Sequence, residues 1–294
     1  MVYKASWSRK VFIFFNVVLL SAILALGILP FIHMLAISLS STTAAAAAEV
    51  GLWPVGFSLE AYRYLGQKAE FIHSLGVSVE RVLLGTVVNM LFVVITAYPL
   101  SRSNGQFRYR TLYVWFFAVT MFFGGGLIPT YVIVKETHLL DSIWALVLPG
   151  ALNVWNAVML LNFFRGIPKE LDEAATIDGA GHWTLLWKIY LPVSLPALAT
   201  ITLFTVVGHW NSWFDGILYM NSPANYPLQS YLSTLVTSIN KQAISLDDLS
   251  RLENISEKTL RTAQIFLGAL PIMLVYPFLQ KFFIKGITVG SVKE

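Results

Sequence analysis

No cysteine occurs in this chain, which removes a disulfide framework, thiolate metal sites and a cysteine nucleophile together. Charge is scarce as well. Asp, Glu, Lys and Arg make up 12% of the residues, about half the share usual in a soluble domain. Also missing are spacings that carry chemistry: there is no G-x-x-x-x-G-K-[ST] phosphate cradle, no H-E-x-x-H and no G-x-S-x-G. The five histidines, His33, His73, His138, His182 and His209, are scattered rather than grouped as ligands. An intramembrane enzyme, which would need a nucleophile or a metal set within its spans, finds no support. A passive channel stays open as an alternative, but it has no need of a docking segment.

What the chain has in excess is apolar residues, 56% of it. Six apolar stretches are long enough to cross a bilayer core, which takes roughly 20 residues. They cover residues 11–39, 77–100, 111–134, 143–164, 193–219 and 263–283. Pro30, Pro99, Pro129, Pro149, Pro196, Pro271 and Pro277 interrupt them, as membrane helices tolerate when neighbours satisfy the freed carbonyls. No long alternating segments argue for a barrel. The expected fold is an all-α polytopic membrane protein with six transmembrane helices. The first apolar run follows Lys4, Arg9 and Lys10 and exceeds a signal-peptide core, so it is expected to be a retained span.

The net charge of +4 reads as a topology signal rather than a nucleic-acid footprint. Four basic groups fall on one side of the six spans: Lys4, Arg9 and Lys10; Arg102, Arg108 and Arg110; Arg165, Lys169 and Lys188; and Lys281, Lys285 and Lys293. That side is expected to be the cytoplasm, with both termini on it. Most acids lie opposite: Glu49, Glu60, Glu70, Glu136, Asp141, Asp247, Asp248, Glu253 and Glu257. Two long outer connections, 40–76 with the alanine run Ala44–Ala48, and 220–260, are either linkers or contacts for an outer partner.

Inside the spans, Gly124-Gly125-Gly126 reads as close helix packing in preference to a kinked segment lining a path. On a helical wheel of the fifth span, Gly208, Asn211, Ser212 and Asp215 form one stripe bordered by Thr205 and His209, with Val206, Trp210, Trp213 and Ile217 on an apolar face. His209, Asn211, Ser212 and Asp215 either line a solute path or make helix–helix hydrogen bonds. Glu80 and Arg81 read as interfacial anchors at the start of span two. No central Arg or Lys is expected in the spans; Lys135 sits near an outer end.

The stretch from Pro168 to Pro192 organises the rest. Pro168 suits a helix start, and Glu170, Asp172 and Glu173 then fall near the positive end of its dipole. Ala174 and Ala175 let a partner backbone approach, and Gly179 and Gly181 break the helix. Trp183, Leu186, Trp187 and Tyr190 mark a second amphipathic piece that Pro192 is expected to end. A short, acidic, alanine-faced helix between apolar spans is suited to docking rather than to chemistry.

Glu173-Ala174-Ala175, three residues, Gly179, nine residues, then Ile189-Tyr190-Leu191-Pro192 resembles the EAA loop of ABC importer permeases. Phe123–Tyr131, Gly208–Trp213, Tyr226–Gln229, Tyr276–Lys281 and Gly286–Lys293 are similar to the carbohydrate-uptake class. There they resemble the second permease, of the maltose importer's smaller-permease type, in the branch for larger or acidic oligosaccharides such as alginate and aldouronate, also associated with "lipoprotein" systems. The resemblance implies the type I ABC importer fold and a coupling helix at 173–192 that sits in an ATPase cleft. The coupling residues would be Glu173, Ala174, Ala175, Asp178, Gly179, Gly181, Ile189, Leu191 and Pro192.

The same resemblance implies a heterodimer with a homologous permease, two ATP-binding subunits carrying ATP and Mg, and an outer solute-binding protein that delivers an oligosaccharide. This chain would bind no cofactor or nucleic acid itself. It would sit in the bacterial inner (plasma) membrane, importing by ATP-driven alternating access. An ABC permease for another small solute is the nearest alternative. The domains would be 1–70 (first span and first outer loop), 71–284 (transmembrane core, with outer loop 220–260 probing the binding protein) and 285–294 (a tail reaching the ATPase dimer).

Overall fold

Residues 7–237 and 257–291 are described by a computed structural model, and every element among them is helical. They fall into two compact units, one made of Met1–Ala69 with Val236–Leu270, the other of Glu70–Leu235 with Pro271–Glu294.

In the first unit, α1 (Trp7–Ser38) is apolar all round, with a mean hydropathy of 2.7 over its most apolar window. A helix of that kind, exposed along most of its length, is built for an apolar surrounding. Only its last turn is buried. There Ala36 and Ile37 pack against Ala44, Ala45 and Val50. The start of the alanine run is thus packed, at Ala44 and Ala45, while Ala46, Ala47 and Ala48 are exposed: α2 (Thr42–Ala46) is capped by Ser41, whose Oγ accepts from the Ala44 N–H. Alanine suits this position because the missing bulk lets α1 approach closely. Ser40 Oγ donates to Ala36 O at 2.6 Å and accepts from Val55 N at 3.0 Å. Ser38 is hydrogen-bonded to the Tyr62 hydroxyl of α3 (Glu60–Gln67) at 2.7 Å.

The second unit is built on α4 (Ala69–Ser101), an unbroken helix of 33 residues. It starts eight residues before the apolar run at 77. Its buried face recurs every three to four residues: Ser74, Ser78, Arg81, Gly85, Asn89, Val93 and Ala97. The first five of these are polar or small, and the last two enter the apolar core. In that core Val93, Ala97, Tyr98 and Leu100 meet Leu160, Leu161 and Phe164 of α8 (Val154–Arg165), Leu185, Leu186 and Tyr190, and Ile201 of α12 (Leu195–Asn211).

The other spans of this unit are broken. α5 (Arg110–Phe122) and α6 (Leu127–Glu136) are bent by 113° across the glycine triplet. Within this chain, close packing is not what those glycines serve. All three are exposed, and a Cβ added at Gly124 or Gly126 meets nothing within 4 Å. Gly126 instead takes a φ of 84°, which a side chain would strain. α7 (Ile143–Val147) leads through a 3₁₀ turn, Leu148–Gly150, into α8 with a 48° bend.

α9 (Lys169–Ile177) and α10 (His182–Leu185) flank the Gly179 turn, and a π-turn over Leu186–Tyr190 then runs into α11 (Leu191–Val193). Pro192 does not end this segment. The chain turns two residues later, at Ser194, by 80° into α12 (Leu195–Asn211). Nor is span five one helix: it breaks at Ser212 and Trp213 before α13 (Phe214–Tyr219). A single helical wheel across 208–217 therefore does not describe it. α14 (Leu228–Thr237) and α15 (Glu257–Ser291), with Pro271 and Pro277 inside, complete the described elements.

α1 and α4 are each long and apolar enough to cross a membrane. The pairs α5–α6, α7–α8 and α10–α12 are so too if each bent pair is one span.

Candidate functional site: a polar cavity and a clamped loop

Three places in the second unit gather polar groups. The first is a cavity of about 650 Å³ bounded by α4, α8, α12 and α13. From α4 it receives Arg81 and Asn89, from the start of α8 Asn153, Trp155 and Asn156, and from the broken fifth span Thr205, Gly208, His209, Ser212 and Asp215. The polar half of the α4 stripe thus faces the polar part of span five.

Arg81 is buried, with 3% of its side chain exposed, and is paired to Asp215. It is no interfacial anchor. Because α4 begins at Ala69, Arg81 lies twelve residues into the helix, about 18 Å at 1.5 Å per residue. Arg81 Nη1 donates to Asp215 Oδ1 at 3.1 Å and to Ser212 O at 3.3 Å, and Nη2 donates to Asp215 Oδ2. Asp215 Oδ1 also accepts from Ser212 Oγ at 2.8 Å and from the Gly216 N–H at 3.0 Å. The break in span five makes this possible, since it frees the first N–H groups of α13 to face the carboxylate. Removing one partner of so buried a pair typically costs about 3–5 kcal/mol, because the other charge is left uncompensated.

Below the pair, Asn89 Nδ2 donates to the carbonyls of Gly150 and Ala151, each at 2.9 Å, while its Oδ1 is 3.2 Å from His209 Nε2. The 48° bend between α7 and α8 exposes those carbonyls, and Asn89 satisfies them. Gly85 is glycine because the His209 imidazole occupies the space of a Cβ. Asn156 Nδ2 donates to Thr205 Oγ1 at 3.4 Å. Of the four residues expected on a solute path, His209, Ser212 and Asp215 line the cavity, whereas Asn211 is exposed and does not. Arg81, Asn89, Asn153 and Asn156 escaped the sequence reading. The recurrence of polar or small residues along α4 was the signal for the first two.

The second place is the loop 168–192. Glu173, Ala174, Asp178, Gly179 and Gly181 are exposed, and Ala175 is half-buried. Helix α9 closes with two bonds, Gly179 N–H to Thr176 O at 3.0 Å and Ala180 N–H to Ala175 O at 2.9 Å, with Gly179 at φ 79°. This is a Schellman end, and the left-handed φ is why glycine stands at 179. Ile177, at 86% exposure, is the most exposed apolar side chain of the loop.

The amphipathic face expected after Gly181 is revised. Leu185, Leu186 and Tyr190 are buried, Ile189 and Leu191 are half-buried, and Trp183 and Trp187 are exposed at 68% and 62%. The π-turn widens the spacing, so that positions five apart, not four, share a face.

The loop is held by Arg102, just past the end of α4. Its guanidinium donates to Asp172 Oδ2 at 2.5 Å. It also lies over two rings, 4.3 Å from the centre of Tyr98 and 4.5 Å from that of Tyr190. Tyr98 Oη donates to His182 O at 2.9 Å. Burial is the largest single influence and lowers the Arg102 pKa, but the hydrogen bond to Asp172 together with the charge interactions with Tyr190, Tyr98 and Asp172 outweighs it, and the net shift is upward. Arg102 was counted only as a topology charge, and no local signal connects it to Asp172, seventy residues on.

A third cluster closes the turn between α6 and α7. Asp141 Oδ1 accepts from Asn225 Nδ2 at 3.0 Å and from the N–H groups of Asn221 at 3.2 Å and Ser222 at 3.5 Å. The Asn225 amide, ahead of a small opposing effect of burial, lowers the Asp141 pKa, with the backbone donors helping. Leu228 N–H donates to Ser78 Oγ at 2.7 Å, and Ser230 Oγ to Trp213 O at 2.6 Å. The first third of the second outer connection is therefore packed structure and not a linker. Asp247, Asp248 and Glu253 lie outside the described residues, as do Val292 and Lys293 of the tail.

Residues 79–289 match the family described as binding-protein-dependent transport system inner membrane component. Protein LplC of Bacillus subtilis (strain 168) is 39% identical over 97% of this chain and 95% of its own. The polygalacturonan/rhamnogalacturonan transport system permease protein YtcP of the same organism is 41% identical over 90% and 92%. A chain from the crystal structure of a bacterial ABC transporter involved in the import of the acidic polysaccharide alginate superposes with a TM-score of 0.86 at 31% identity, covering 95% of this chain and 99% of that one.

The chain belongs to this family of inner-membrane components. It has the type I importer permease fold and is a permease of a binding-protein-dependent ABC importer, a transport subunit without an ATPase site of its own. The resemblance to carbohydrate-importer permeases is thereby borne out.

Proposed function

We propose that this permease passes an oligosaccharide inward across the plasma membrane, in a heterodimer with a homologous permease, driven by two ATP-binding subunits and fed by an outer binding protein. The named substrates of the relatives, polygalacturonan or rhamnogalacturonan and alginate, support a uronic or related glycan. Six spans serve this reading: α1, α4, α5–α6, α7–α8, α10–α13 and α15. Both termini lie in the cytoplasm, on the side of the basic groups. The core from 71 to 284 does the transport, the first 70 residues add a span and the first outer loop, and the tail from 285 reaches toward the ATPase.

One observation carries the reading. α9 and its glycine end are exposed at the tip yet clamped at the base by Arg102. A segment that must receive force from another subunit needs both properties. In our reading Glu173, Ala174, Ala175, Asp178 and Gly179 enter the ATPase cleft. Gly181, Ile189, Leu191 and Pro192 seat the loop on the core, where Ile189 and Leu191 pack. ATP and Mg stay on the partner subunits. The cavity with His209, Ser212 and Asp215 is the stretch of solute path that this chain contributes, and Asn211 faces elsewhere.

Replacing Glu173 by Ala or Gly179 by Val leaves the spans inserted and separates ATP hydrolysis from uptake in the reconstituted importer. Sugar uptake at the parent rate by both variants would refute the docking role.

A further inference from the structure

The cavity wall carries one ion pair, Arg81 and Asp215. What they leave over decides which face of a sugar it can take. Resting on the reading of this cavity as part of the oligosaccharide path, we propose that it receives the uncharged, hydroxyl-bearing face of the glycan, and that Asp215 is a specificity-determining residue that keeps carboxylates off Arg81.

The two side chains are not equally open. Arg81 is 3% exposed and Asp215 24%, so the cavity meets the carboxylate edge before the guanidinium. Both terminal nitrogens of Arg81 are already committed to Asp215, one of them to Ser212 O as well. Asp215 is held in turn by Ser212 Oγ and the Gly216 N–H. An incoming carboxylate would have to displace a partner that is covalently tethered, pre-positioned and hydrogen-bonded from behind, and would leave that partner charged and unpaired. A hydroxyl has no such obstacle: it donates to the exposed edge of Asp215 without disturbing the pair.

The rest of the lining suits the same ligand. Asn153, exposed, offers its amide NH₂, and Trp155 and Phe204, 61% and 43% exposed, offer flat apolar faces for the C–H side of a pyranose. The other titratable groups at the wall are His209, which faces Asn89, and Tyr219, which stacks on Tyr131. A carboxylate borne by the glycan therefore finds its counter-charge outside this cavity.

The test uses the complete importer in proteoliposomes, with its binding protein and ATP. Two probes compete for uptake: an oligogalacturonide and its fully methyl-esterified counterpart of equal length. A medium of about pH 8 keeps an ordinary imidazole uncharged. The binding protein is common to all variants, so a change in the uptake ratio belongs to the permease.

Asp215→Asn leaves Arg81 uncompensated, and the acid-to-ester ratio rises about tenfold or more, as expected for one uncancelled charge. The Arg81→Gln/Asp215→Asn double variant, neutral again, keeps the parent ratio. Arg81→Gln alone, which leaves the carboxylate unpaired, lowers the ratio about tenfold and reads the same balance if Asp215→Asn does not assemble. An unmoved or lowered ratio in Asp215→Asn, an unmoved ratio in Arg81→Gln, or a double variant that shifts like Asp215→Asn overturns the proposal. Uptake of neither probe by the parent overturns the oligosaccharide reading itself.

Discussion

Gly85 shows how much one missing methyl group decides in this molecule. Its absent Cβ is the space in which the His209 ring stands, and that ring reaches Asn89, which in turn satisfies two carbonyls of the α7–α8 bend. Gly85→Ala is expected to push the ring out and destabilise the folded chain by about 1–3 kcal/mol, the usual range for overpacking. The measurement is the thermal midpoint of the purified complex in detergent. Gly124→Ala provides the contrast, since nothing lies near its Cβ, and should leave that midpoint unchanged. Neither outcome was legible in the sequence, where the triplet at 124–126 looked more like a packing motif than Gly85 did. Arg81 was misjudged for a related reason. Whether a cation is an anchor or a buried partner depends on where its helix begins and on a carboxylate 134 residues away.

Among the elements that line the cavity, α4 stands apart. The spans α5–α6, α7–α8 and α10–α12 are each bent at a break, by 113°, 48° and 80°, while α4 is continuous. A continuous helix transmits displacement that a broken one absorbs at its hinge. α4 carries Arg81 at the cavity, and Arg102 follows its last residue at the loop, 21 positions on, about 31 Å along a helix. Asp172→Asn takes the charge out of the bond between Arg102 and α9 and so weakens it with little change of shape. It is expected to raise the ATP hydrolysed per solute imported, with the cavity end intact. Direct comparison of hydrolysis and uptake in proteoliposomes reads this, and an unchanged ratio would exclude the clamp from transmission. The helical nature of these segments and the glycine stop at 179 were readable from spacing. The π-turn was not: it trades one local hydrogen-bond register for another, and burial of Leu185, Leu186 and Tyr190 chooses between them.

At the scale of the molecule, the start of the second outer connection is tied back to the α6–α7 turn through Asp141. Its carboxyl is held below the ordinary value of 3.8, chiefly by the Asn225 amide. A depressed carboxylate stabilises the fold above its unfolded pKa, and that contribution disappears as pH falls through the lower, folded value. The segment Asn221–Asn225 should therefore keep its protection from hydrogen exchange down to about pH 4 and lose it only below. In Asp141→Asn, with one acceptor oxygen lost and an NH₂ group in its place, protection is expected to be reduced at neutral pH as well. Exchange measured across that range by mass spectrometry checks both statements.

By itself the sequence determined that the chain is apolar and helical, that it has no phosphate cradle or cysteine chemistry, and that a short acidic helix ends on a left-handed glycine. These follow from composition and from interactions within a few residues, which an isolated stretch already contains. Only the tertiary structure decided that three spans are broken, that Arg81 faces Asp215, and that Arg102 lies between two tyrosine rings against Asp172. Each of those joins residues far apart in the chain, where a charge buried by one element is stable only because another element arrives with its partner.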